Sequence, residues 1–130
     1  IPYYNRIVNL CFYLERNPDV KFIENLEKLM DDPNIKGYKT SEYNQTRWRI
    51  YGANLELLLA VAAIRCGSMK GTECLISYLE DIHSNFRYFS RNELCSVYGK
   101  DGGYDRAAWR KLVKDKKSLK VSPLKKSIEV

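Results

Sequence analysis

Apolar residues recur along this chain at intervals of three and four, interrupted by short polar or proline-containing stretches. That spacing puts them on one face of a helix. The first run predicts a helix from about Tyr3 to Arg16, with Ile7, Leu10, Cys11 and Leu14 on one side. Asn17-Pro18 stops it, because proline disfavours helical geometry in the residue before it. A second helix starts near Asp19, a suitable N-cap, with a stripe of Phe22, Ile23, Leu26, Leu29 and Met30, and ends at Asp31-Asp32-Pro33. A third, from about Gln45 to Cys66, carries Leu55, Leu58, Leu59, Ala62 and Ala63 on one side, while Leu57, Val61 and Ile64 widen the stripe. A helix apolar on nearly every side is a central one, and Gly67 suits a left-handed C-cap. Three more helices are predicted: about Lys70 to Asp81, about Asn85 to Tyr98, and one opening at Asp105 with Ala108, Trp109, Leu112 and Val113. No stretch alternates with period two among β-branched residues, so no strand is predicted.

The chain also resembles itself. Shifted by 49 positions, Leu10 meets Leu59, Arg16 meets Arg65, Lys21 meets Lys70, Leu26 meets Leu75 and Asp32 meets Asp81. Each matched segment is a helix, a polar break and a second helix ending in an acidic residue. Such self-similarity marks a helical solenoid, in which each helix pair buries its face against its neighbours.

Particular residues sharpen that expectation. Lys70 to Asp81, with a small residue, Leu75-x-x-x-Leu79 and then Asp81, resembles the second helix of a HEAT-like repeat. Glu93 to Trp109 resembles the closing repeat of many bacterial HEAT-like domains: a helix ending at glycine, a Gly-Tyr-Asp turn, and a last helix bearing a tryptophan. Gly102 departs from the bulky aromatic often found at its place. The resemblance implies an all-α fold, a right-handed α-α superhelix of HEAT or armadillo type with about three helix pairs over residues 1–117. The whole chain is also similar to the C-terminal region of large bacterial FAD-dependent oxidoreductases of the Bacteroides kind. The similar pieces are Asn5 to Leu10, Asp31 to Tyr38, Arg65 to Ser68, and Ser77 to His83. This likeness implies a non-catalytic accessory domain whose FAD, if the parent has one, is bound by an upstream domain. The start at Ile1 is accordingly read as a boundary within a longer chain.

Composition narrows the function classes. The 130 residues suit one domain, and the apolar fraction of 45% with 29% charged is that of a folded protein. The longest apolar run, Leu57 to Ile64, is too short for a membrane span. Of the net charge of +6, six lysines against Asp115 and Glu129 place +4 from Lys114 onward, leaving +2 for residues 1–113. Nucleic acid is therefore a minor reading, confined to the basic tail, residues 118–130. That tail is read as a solvated end or a surface strap pinned by Leu119, Val121, Leu124 and Ile128. Cys11, Cys66, Cys74 and Cys95 form no Cys-x-x-Cys pair, which argues against zinc. Whether Cys66 and Cys74 are bridged is left open by the sequence.

No catalytic, cofactor-binding or metal site is assigned. The glycines make no Gly-x-Gly-x-x-Gly fingerprint. His83, the single histidine, reads chiefly as a helix-terminal residue interacting with the dipole and local carbonyls. The acidic pairs Asp31-Asp32 and Glu80-Asp81 read as acceptors for nearby backbone. Two aromatic-basic groups are the candidate interaction surface: Arg47, Trp48, Arg49 and Tyr51, and then His83, Arg87, Tyr88 and Arg91. Tyr, Trp and Arg are the types enriched at binding hot spots. Arg87 and Arg91, four apart, are expected to share an exposed face. The expected partner is a protein, either the parent's catalytic domain or a separate chain, docked on a face made mainly by the second helix of each pair. A contribution of Arg47 or His83 to a flavin enzyme's substrate pocket is the rival.

Overall fold

The breaks that punctuate the sequence each supply a cap. Asp19 Oδ1 accepts the Lys21 backbone N–H at 3.0 Å, and Ser68 Oγ accepts that of Gly71 at 3.2 Å. These two caps lie 49 positions apart, the same offset that aligns the chain with itself. Between the helices that precede and follow Ser68, Gly67 takes a positive φ of 107°. It lets Ser68 N–H reach Ala63 O at 2.8 Å and Gly67 N–H reach Ile64 O at 3.1 Å, which satisfies carbonyls at the helix end. Asp105 Oδ1 accepts the Ala107 N–H at 2.9 Å and opens the last helix.

The computed structural model describes residues 3–33, 35, 47–81 and 83–114, with residues 47–52 described by backbone alone. The helices are α1 (Tyr4–Arg16), a 3-10 turn (Val20–Phe22) leading into α2 (Ile23–Met30), α3 (Arg47–Cys66), α4 (Met69–Ser77), α5 (Ser84–Tyr98) and α6 (Arg106–Lys114). Among the described residues the fold is all-helical. The predicted helix start at Gln45, most of the predicted break from Asp32 to Thr46, and the tail 118–130 lie outside the described residues.

Helix α3 is the centre, packing against α1, α2, α4 and α5, while α4 also meets α5 and α6. Leu55, Leu59, Ala62, Ala63 and Ile64 are fully buried there, as the wide apolar stripe predicts. Small residues let α3 and α4 approach closely: a Cβ on Gly71 would stand 2.7 Å from Ala60 O. Polar bonds tie the interfaces. Tyr78 O–H reaches Glu56 Oε1 at 2.5 Å, and the Thr72 and Tyr98 hydroxyls are 2.7 Å apart. At the far end Trp109 is fully buried, its Nε1–H donating to Gly103 O at 2.7 Å. A Cβ on Gly102 would stand 2.8 Å from the Trp109 ring. The tryptophan itself occupies the space, which accounts for the missing aromatic at 102.

Two expectations are corrected. The fourth helix ends at Ser77, not Asp81. Tyr78 N–H bonds Leu75 O and Leu79 N–H bonds Ile76 O, both at 3.1 Å, so the chain tightens into a 3-10-like turn. Tyr78 and Leu79 stay buried there, which is why the apolar pattern runs on past the helix. All four cysteines are free, so Cys66 and Cys74 are not bridged.

Candidate functional site

Helices α1 and α5 both lie on α3, and between them opens a groove of about 530 Å³. Tyr4, Val8 and Phe12, four apart along α1, form one wall. Asn54, Leu57 and Leu58 of α3 make the floor. Asn85, Phe86 and Phe89 of α5 make the other wall, with His83 at the start of that helix. Phe12 stays 46% exposed although it faces apolar neighbours. The groove is polar where Asn54, His83 and Asn85 gather and apolar elsewhere. An arrangement of this kind can take an apolar surface and hydrogen-bond one end of it.

His83 is the N-cap of α5, so it sits at the positive end of a helix dipole, where its own carbonyl accepts the N–H groups of Phe86 and Arg87 at 3.1 and 3.2 Å. The expectation of a ring interacting with local carbonyls is replaced by contact with an acid. Asp81 Oδ2 accepts the His83 backbone N–H at 3.0 Å and lies 3.4 Å from His83 Nδ1. A carboxylate behind an imidazole is how a general base is oriented. Among the described residues that line the groove there is no Ser, Thr or Cys to serve as nucleophile.

The other candidate residues separate. Arg87 Nη1 donates to Asp81 O at 2.6 Å. Arg91 grips Asp101 with both Nε, at 3.1 Å, and Nη2, and its guanidinium lies 5.2 Å from the Tyr104 ring centre. Both arginines are half-buried. The expectation of a shared exposed face is therefore corrected: the turn after α5 folds back over that face. Arg91 and the Gly103 N–H hold the Asp101 carboxyl well below the usual carboxylate range. Tyr88 remains 58% exposed beside Tyr104, edge to face at 6.1 Å. Arg47, Trp48, Arg49 and Tyr51 open α3, but their side chains lie outside the described residues.

The acidic pairs work at helix junctions. Asp81 caps the backbone before α5, Asp31 pairs with Lys70, and Glu80 pairs with Arg106 at 3.1 Å. Tyr4, Val8, Phe12, Asn54, Leu57 and Leu58 were not marked by sequence as surface. Their one signal was a surplus of apolar positions beyond a single stripe on α1 and α3. Among the described residues no group of three or more His, Cys, Asp or Glu is placed to hold a metal ion, and no helix is long and apolar enough to cross a membrane. Comparisons with family models, curated proteins and solved structures find no match for this chain.

Proposed function

We propose that this chain is a non-catalytic helical-repeat domain, a HEAT-like right-handed superhelix of about three helix pairs, that docks the catalytic domain of its own parent protein. The observation that carries this reading is the open apolar groove between α1 and α5. It offers Phe12, Leu58 and Phe89 as anchors for an apolar segment and three polar groups for its end, the layout of helix-in-groove recognition. The docking face is thus made by the first helix of each pair, not the second. Support for a repeat comes from the matched caps Asp19 and Ser68 and from helices that pack mainly on near neighbours in sequence. The identity of the parent as an FAD-dependent oxidoreductase rests on the sequence resemblance alone. His83, backed by Asp81 at the polar end of the groove, favours a second reading in which it reaches into the parent's substrate pocket.

The test expresses the rest of the parent reading frame as a separate polypeptide and titrates it with the 130-residue chain by calorimetry. Saturable binding is expected, weakened by about tenfold or more in Phe12→Asp, since an anchor lost from a docked interface costs over about 1 kcal/mol. Binding unchanged by both Phe12→Asp and Leu58→Asp would remove the groove from the reading. A reading frame without a glycine-rich strand–helix motif would remove the oxidoreductase.

A further inference from the structure

Past its apolar stretch, the valley between α1 and α5 ends in buried charge. Glu15 follows Phe12 by three residues, Arg65 follows Leu58 by seven, and Glu93 follows Phe89 by four. These spacings keep each on the helix face that lines the groove. Arg65 is 2% exposed, and its Nη2 donates to Glu93 Oε2 and Ser96 Oγ, both at 3.0 Å. Its hydrogen bonds from α3 therefore tie it to α5. Glu15 enters from α1 and is 7% exposed, and no hydrogen bond to its carboxyl offsets that burial. The titratable or charged groups that face it are Cys11 and Arg16 on α1, Arg65 on α3 and Glu93 on α5, with Cys66 of α3 beside Cys11.

One guanidinium thus faces two carboxyls. With Glu15 protonated, Arg65 and Glu93 balance. With Glu15 ionised, the pocket holds an excess negative charge away from water, which is costly unless the group is hydrated or paired. Hydration is reached most readily by moving the end of α1, because α3 is held on its other sides by α2, α4 and α5.

We propose that Glu15 is a pH-sensitive latch: protonated, it seats the C-terminal half of α1 on α3 and α5, and ionised, it releases that half and opens the valley. The switch falls near neutrality, because burial first and Glu93 second raise the Glu15 carboxyl to about 7 against the opposing pull of Arg16 and Arg65. The latch is independent of what occupies the groove.

The experiment uses the whole 130-residue chain. Carboxyl NMR follows Glu15 through a pH titration, and hydrogen exchange, corrected for intrinsic rates, compares α1 with α3 at pH 6 and pH 8.5. Glu15 is expected to titrate near neutrality. The α1 amides should lose about tenfold more protection than those of α3 over that interval, as a local opening does. In Glu15→Gln, which keeps the neutral shape, that difference disappears. Glu93→Gln removes the repelling charge and lowers the Glu15 midpoint. Titration of Glu15 in the ordinary carboxylate range overturns the latch. So does α1 exchange with the same pH response in wild type and Glu15→Gln, or a Glu15 midpoint unmoved by Glu93→Gln.

Discussion

A methyl group at position 71 meets backbone on two sides, 2.7 Å from Ala60 O and 2.9 Å from Ile64 N. Backbone cannot rotate away as a side chain can. Gly71→Ala should therefore destabilise by roughly 1–3 kcal/mol, although alanine is the better helix former by about 1 kcal/mol. A urea midpoint that stays put would mean α3 and α4 tolerate a wider spacing. Glu15 gives a stability effect with a definite sign. The folded chain keeps on Glu15 a proton that the unfolded chain releases above about 4.5, so stability falls as pH rises from 4.5 to about 7 and levels off beyond. The total is roughly 3 kcal/mol. Glu15→Gln should accordingly raise the melting temperature at pH 8 and change it little at pH 4.5. An equal effect at the two pH values would show that the carboxyl is not titrating as described. Burial likewise pushes the Cys11 thiol up to about 12, with Glu15 adding to it. Cys11 should resist alkylation in the folded chain, where half-buried Cys74 and Cys95 react first.

At the scale of elements, α3 carries the core and its two neighbouring leucines differ. Leu59 is fully buried, whereas Leu58 lines the groove and is half-buried. Leu59→Ala should cost about 2–5 kcal/mol and Leu58→Ala distinctly less. Equal costs in chemical denaturation would mean the groove is closed in solution. The turn between α5 and α6 is held by Arg91 on Asp101 and by Trp109 on Gly103. Because the Asp101 carboxyl is depressed, its contribution is present above the ordinary aspartate range and is lost as pH falls through that range towards the lowered folded value. Asp101→Asn should loosen this turn at pH 7, seen as faster exchange of the α6 amides, with little further change on acidification.

For the whole molecule, neighbours decide what opens first. Helix α3 contacts four other helices, while α6 rests mainly on α4. Exchange of α3 amides should therefore follow global unfolding, with α6 opening at lower free energy. Uniform protection across both would indicate a more cooperative fold than near-neighbour stacking produces. The same arrangement leaves α1 with α3 as its main partner, which explains why large apolar side chains such as Phe12 and Tyr13 remain exposed on it.

Local chemistry determined much of this protein directly. Helical periodicity, the caps Asp19 and Asp105, the turn at Gly67 and the central place of α3 all depend on residues within a few positions of one another. Such interactions leave a pattern in the order of residues. What the tertiary structure decided involves residues far apart. Arg65 finds Glu93 28 positions away, Arg91 and Arg87 are drawn off an exposed face, and Tyr78 leaves its helix while remaining buried against Glu56. The groove exists only because α1 and α5 share α3 as a floor, and Glu15 looks like any surface glutamate until that packing removes it from water. Burial and long-range pairing depend on how helices stack, and no short stretch of sequence encodes the distance between α1 and α5.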